Sequence, residues 1–145
     1  MKKWDSGSKP EATSCEGRTR VRVRYAETDA MGWVYYATYL CYFEVGRTEL
    51  IRAAWRPYRQ IEEEGYKLPV VEAGCRYLSG AQYDDELEIH TRLVLPSAYR
   101  VRFEYEIRRP QDGQEIARGF TEHCFLTSEG KIVRVPADLR TLVEP

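Results

Sequence analysis

The sequence predicts an α+β fold in which a curved antiparallel β-sheet wraps around one long central α-helix. Three observations carry this. From 100 to 108 the chain alternates, with Val101, Phe103, Tyr105 and Ile107 against Arg100, Arg102, Glu104, Glu106 and Arg108, the pattern of a sheet with one buried face. From about Tyr36 to Ala54 the period lengthens, and Tyr36, Tyr39, Leu40, Phe43, Leu50, Ile51 and Ala54 form one helical stripe. The segments after it read as about five successive strands, mostly joined by tight turns. One amphipathic helix needs a broad apolar surface, and a one-faced antiparallel sheet supplies it.

Taken in order, residues 1–17 are rich in Lys, Ser, Gly, Glu and Pro and are expected to be a flexible N-terminal tail. A single domain then covers 18–145, a size that suits one core. Residues 20–25 alternate as a half-buried strand. In the helix, Gly46 costs about 1 kcal/mol relative to alanine, so it marks a close approach to the sheet. Arg47 projects from the apolar face and needs a partner or a wet pocket; a buried ion pair is the first expectation. Glu44 either reaches a pocket or pairs with a basic residue, the structural pair being favoured, and Glu49 is expected at the surface or an interface. A shorter helix is expected over Tyr58–Glu64, stopped by Gly65. Strands follow at Lys67–Leu78, Glu86–Leu95, 100–108, Glu115–Leu126 and Ile132–Val135, with turns at Asp84-Asp85, Gln111–Gln114 and Ser128–Lys131 and one helical turn after Pro136. The open edge strands of such a sheet are expected to pair with a second subunit.

Composition removes several functional classes. The formal net charge is −1, so no overall field favours nucleic acid or an anionic membrane. No apolar run reaches the roughly 18–20 residues of a membrane span, and the first ten residues lack a secretory core. Cys15, Cys41, Cys75 and Cys124 have neither disulfide nor metal spacing. They are expected to be reduced, the last three as packing groups, which places the chain in the cytoplasm. His90 and His123 lie on strands without a third ligand, so no metal is expected.

The candidate site lies in Tyr25-Ala-Glu-Thr-Asp-Ala-Met-Gly-Trp-Val-Tyr-Tyr-Ala-Thr-Tyr-Leu, which leaves a strand, passes a turn and enters the helix. Asp29 sits in that turn, and the backbone N–H groups near Tyr36 and Ala37 are free at a helix start. A carboxylate facing an electropositive helix end suits cleavage of an activated acyl group, such as a thioester, by direct attack or by activating water. The competing reading is that Thr28 or Asp29 only satisfies turn backbone. The hydroxyls of Tyr25 and Tyr36 either orient the acid and the acyl group or belong to core and interface, as is usual for tyrosine. Arg20, Arg22 and Arg24 form one basic strip and Arg100, Arg102, Arg108 and Arg109 another. They offer anion sites for RNA or for the phosphates of coenzyme A, but interleaved glutamates favour a solvated face.

That stretch, with Phe43-Glu44-Val45-Gly46-Arg47-Thr48-Glu49-Leu50, resembles the signature of the hotdog-fold acyl-CoA thioesterases. The match is to the 4-hydroxybenzoyl-CoA thioesterase family, particularly its YbgC-type branch, from about Arg20 to Val135. The resemblance implies a hotdog fold, with Asp29 as catalytic nucleophile or base and the N–H near Tyr36 polarising the thioester carbonyl. Tyr36 stands where the YbgC-type branch often has histidine and the hydroxybenzoyl branch tyrosine. Tyr25 matches a tyrosine near the site in some relatives. The resemblance also implies homodimers or homotetramers with sites at subunit interfaces, and coenzyme A contacts at Ser97, Arg100 and Arg102. No cofactor is implied, since coenzyme A is part of the substrate. The expected activity is hydrolysis of acyl-CoA to free acid and coenzyme A. A non-catalytic binding module for acyl-CoA or acyl-carrier protein is the alternative, and an RNA-binding sheet is disfavoured by the near-neutral charge.

Overall fold

The computed structural model describes residues 15–143, so most of the expected tail lies outside the described residues. Its strands are β1 (Glu16–Arg22), β2 (Tyr66–Lys67), β3 (Val70–Tyr77), β4 (Glu86–Ser97), β5 (Arg100–Arg109), β6 (Gln114–Thr127) and β7 (Ile132–Val133). Its helices are α1 (Thr38–Ala54), α2 (Tyr58–Glu63) and α3 (Ala137–Arg140). The main sheet runs β1-β4-β5-β6-β3, antiparallel throughout, while β2 and β7 pair with the far end of β6. This is the hotdog fold that the sequence predicts, with α1 laid across the concave face.

Alternation built the sheet as expected. On β4, Leu87, Ile89, Thr91 and Leu93 are buried, and on β5 Val101, Phe103, Tyr105 and Ile107. Their neighbours turn to the outer face, where Arg18 pairs with Glu88 at 2.8 Å, Arg20 with Glu86 at 2.5 Å and Arg92 with Glu104 at 2.5 Å. Partly exposed pairs of this kind add little stability. They do neutralise the basic strips, as the interleaved glutamates suggested.

The helix differs from expectation in rotation. Its buried side is Tyr39, Tyr42, Phe43, Gly46, Leu50 and Ile51. Tyr36 precedes the helix and is exposed, and Leu40 is exposed as well. Tyr42 takes the inward place and donates a hydrogen bond to Glu27 at 3.0 Å. The stripe that packs on β1, β4, β5 and β6 is the one on which Gly46 falls at the centre. There a Cβ would meet Thr91 Oγ1 and come within 2.7 Å of Ile89 Cγ2, so the glycine marks the close approach to the sheet that its helix position suggested. Phe43 lies over Gly119 and stacks on Tyr105 at 4.4 Å.

Four further expectations change. β1 starts at Glu16 and Cys15 is buried, because its carbonyl accepts from Leu93 N–H at 2.8 Å; ordered chain therefore begins before Arg18. Cys41 is exposed rather than packed, and all four cysteines are free. Arg47 has no ion pair among the described residues: it donates to the hydroxyls of Tyr105 at 3.3 Å and Thr121 at 3.4 Å. Glu44 is exposed and has no ion-pair partner among the described residues, and Glu49 pairs with Arg52. No helix among the described residues is long and apolar enough to cross a membrane.

Candidate active site

Between β1 and α1 the chain folds into a short hairpin-like loop. Thr28 bridges to Val34, Asp29 N–H donates to Trp33 C=O at 2.8 Å, and Gly32 closes the turn with φ of 84°, a conformation suited to glycine. The loop is clamped from outside: Val34 N–H donates to Ala81 C=O, and the Trp33 indole lies on Gly80, where a Cβ would strike it. This clamp sets the position of Asp29, the half-buried acid at the turn.

The two oxygens of Asp29 are used differently. Oδ1 accepts hydrogen bonds from Met31 N–H at 2.9 Å and Trp33 N–H at 3.2 Å. Oδ2 has no partner among the described residues, and neither oxygen forms an ion pair there. The turn-capping role and an available carboxylate oxygen therefore coexist in one side chain. Thr28 serves the turn alone, its hydroxyl donating to Tyr25 C=O at 2.7 Å.

After the loop, α1 begins without a side-chain cap, because its N-cap position is Ala37. Among the described residues the N–H groups of Tyr36 and Ala37 have no acceptor. Uncapped N–H groups at a helix start carry partial positive charge. The carbonyl of Tyr36 is held instead by the Tyr77 hydroxyl, which donates to it at 3.0 Å.

The wall between loop and helix is aromatic. The Tyr39 ring meets Tyr77 edge-on at 5.5 Å. Burial, with Cys75 next, lifts the Tyr39 hydroxyl to about 12, and the Asp29 carboxylate adds to the shift from within electrostatic reach. Burial also lifts the Cys75 thiol to about 11 and the Tyr77 hydroxyl to about 12. All three stay protonated at neutral pH. Tyr77 and Cys75 were not singled out from sequence. Alternation in 70–77 puts them on one strand face, but only the register Tyr77↔Ala117 and Cys75↔Gly119 carries that face to the helix start.

Tyr25 is 78% exposed, and its ring meets Tyr83 at 5.7 Å. Ser97 ends β4, where its hydroxyl oxygen accepts from Tyr99 N–H at 3.2 Å. Arg102 lies over the Phe120 ring at 3.9 Å and has Glu104 at 3.6 Å. Arg100 has no ion-pair partner among the described residues. Both arginines alternate with buried Val101 and Phe103, so they occupy the outer face. Arg100 pairs with Cys124 whereas Tyr77 pairs with Ala117, a separation of about 23 Å along β6. Within one chain these residues do not share a site with Asp29. Among the described residues, no group of three or more His, Cys, Asp or Glu is arranged to hold a metal.

A family model described as the thioesterase-like superfamily matches residues 23–142. The acyl-CoA thioester hydrolase YbgC of Escherichia coli is 37% identical over 77 residues, covering 53% of this chain and 58% of that protein. Among solved structures, a hypothetical protein of Aquifex aeolicus superposes with a TM-score of 0.82 at 31% identity, over 88% of this chain and 99% of the other. The DHNA-CoA thioesterase of Staphylococcus aureus gives 0.82 at 27% identity, over 88% and 87%.

Proposed function

Because the chain belongs to the thioesterase-like superfamily, we propose that it hydrolyses an acyl-CoA thioester to the free acid and coenzyme A. The observation that supports this reading is the half-engaged Asp29 carboxylate, within electrostatic reach of Tyr39 in the first turn of a helix that starts without a cap. The thioester carbonyl oxygen takes the N–H groups of Tyr36 and Ala37, which stabilise the oxyanion as it develops. Asp29 Oδ2 then acts in one of two ways. As general base it removes a proton from water, the oxygen attacks the carbonyl carbon, and the C–S bond breaks to release the thiolate, which takes up the proton. As nucleophile it forms an acyl-aspartyl anhydride with loss of the same thiolate, and water then cleaves the anhydride.

Tyr25 and the phenol of Tyr36 orient the acyl group from the exposed side. Ser97, Arg100 and Arg102 meet coenzyme A from a second subunit, since they are too far from Asp29 in their own chain. The working unit is therefore a homodimer or homotetramer. The reaction uses no cofactor beyond the coenzyme A of the substrate, and a cytoplasmic setting, where thiols stay reduced, is consistent with four free cysteines.

Thiol release from a panel of acyl-CoAs tests the reading. The Asp29→Asn protein retains the acceptor oxygen of the turn, so it folds, and its rate is expected to drop roughly a hundredfold or more. Equal rates in the two proteins reject Asp29, and tight binding without turnover in the unaltered protein identifies a binding module. Heavy-oxygen water in a single turnover labels Asp29 only along the nucleophilic route.

A further inference from the structure

The central helix carries a guanidinium into the space between helix and sheet, and the polar groups around it form a directed chain. Burial, together with the Arg47 charge, holds His123 down to about 4, so it is neutral at physiological pH. Its Nδ1 lies 3.2 Å from Leu68 C=O, which only accepts; Nδ1 therefore carries the proton. Nε2 must then accept, and the Thr121 hydroxyl donates to it at 2.8 Å. Thr121 Oγ1 accepts in turn from the Tyr105 hydroxyl at 2.6 Å. Arg47 Nη1 donates to both hydroxyl oxygens. Every hydroxyl hydrogen in the chain is thus spent internally, and the donors left over belong to Arg47. Its Nε and Nη2 make no hydrogen bond among the described residues, and neither is sealed from solvent. Glu44, one turn earlier, lies outside ion-pair distance.

One face of β3 runs from the candidate site toward this arrangement. α1 packs chiefly on β1, β4, β5 and β6 and touches β3 through Tyr39 and Tyr77, while on β3 Tyr77 and Ala73 are exposed and Cys75 is half-buried. That face presents Tyr77, then Cys75, then Ala73, and Ala73 lies opposite Thr121 in register. From Tyr77 to Ala73 is about 13 Å along the strand. From Tyr39 to Arg47 is about 12 Å along the helix. The side chain of Arg47 leans back toward the helix start, which shortens the gap.

We propose that Arg47 binds an anionic oxygen at the far end of the acyl group, so that the preferred substrates are thioesters of dicarboxylic acids. The inference rests on the thioesterase reading for where the acyl group begins. A site with only guanidinium donors to offer selects an acceptor, and a carboxylate matches the fork of guanidinium N–H groups. An acyl group ending in a methyl would offer those guanidinium donors no acceptor.

Calorimetry in the Asp29→Asn background compares adipoyl-, suberoyl- and sebacoyl-CoA with hexanoyl-, octanoyl- and decanoyl-CoA. At least one dicarboxyl ligand is expected to bind about tenfold or more tightly than its methyl-ended counterpart. Adding Arg47→Met, which keeps the packed stem, is expected to remove that preference and leave the methyl-ended affinities within about twofold. Arg47→Lys is expected to retain part of it, having the charge without the fork. Equal affinities, or a preference that survives Arg47→Met, overturn the proposal. So does a uniform loss for all ligands accompanied by a change in sedimentation mass, which assigns Arg47 to a contact between subunits. Turnover of the same esters by the unaltered protein is read separately: no hydrolysis with the discrimination intact rejects the reaction and leaves the Arg47 site standing.

Discussion

The hydroxyl of Tyr77, on the free-edge strand β3, donates a hydrogen bond to the main-chain carbonyl of Tyr36 across 3.0 Å. A peptide unit is planar, so fixing that carbonyl also fixes the Ala37 N–H, which points the opposite way. The bond polarises the same unit and strengthens the N–H as a donor. An edge strand thereby aims a group at the start of the central helix, where the thioester oxygen is proposed to bind.

Tyr77→Phe keeps the ring that meets Tyr39 and removes only this hydroxyl. The expected result is a kcat lower by roughly three- to tenfold with KM little changed, since one neutral hydrogen bond is worth about 1 kcal/mol. Steady-state kinetics read both constants; an unchanged kcat with a raised KM would show that the hydroxyl serves binding and not alignment.

Asp29 holds its own turn through Oδ1, so two substitutions separate structure from chemistry. Asp29→Asn keeps the acceptor and is expected to unfold within about 0.5 kcal/mol of the unaltered protein. Asp29→Ala strands the N–H groups of Met31 and Trp33 and is expected to cost about 1–2 kcal/mol. Urea denaturation of both proteins checks this, and equal stability would mean that the turn does not depend on the carboxylate.

Gly46→Ala sets two effects against each other. Alanine gains about 1 kcal/mol of helix propensity. Its methyl would collide with Thr91 Oγ1 and Ile89 Cγ2, and overpacking of this kind costs about 1–3 kcal/mol. Backbone and sheet both resist the shift, so net destabilisation of about 1–2 kcal/mol is expected. A variant with a higher melting temperature would show that α1 rides further from β4 than the structure has it.

His123 makes folding sensitive to acid. Its folded value of about 4 lies below the ordinary 6.5 because burial and then Arg47 oppose its charge. Between those values the unfolded chain binds the proton and the folded chain does not, so stability falls as pH drops from 6.5 toward 4. The full loss is roughly 3 kcal/mol, superimposed below that window on the titration of Asp112 and Glu115, whose arginine partners hold both carboxyls low. The comparison that counts is the slope of stability against pH in His123→Gln beside the unaltered protein. Identical slopes would remove His123 as the cause.

Local signals were legible where the physics is local. Alternation identified β5, the Asp84-Asp85 turn signal marked the start of β4, and Gly65 and Gly113 occur at positive φ in the turns assigned to them. The loop carrying Asp29 and the bare start of α1 could be read from one short stretch, because loop, acid and helix are consecutive. The helix rotation was less legible: Leu40 and Tyr42 are both compatible with a stripe, and contact with β4 and β6 selected Tyr42. The start of β1 was obscured by tail-like composition, since Glu16 and Gly17 are ordered through pairing with Arg92 and Thr91.

By itself, the order of residues determined which segments are strands, where the chain turns, and that an acid precedes an uncapped helix, for these depend on neighbours within a few positions. Tertiary structure alone decided which distant groups meet. Tyr77 reaches Tyr36, Arg47 reaches Thr121 rather than a carboxylate, and Arg100 ends far from Asp29. Those meetings follow from strand register and helix rotation, which are set by packing the whole core at once and leave no periodic trace in any single segment.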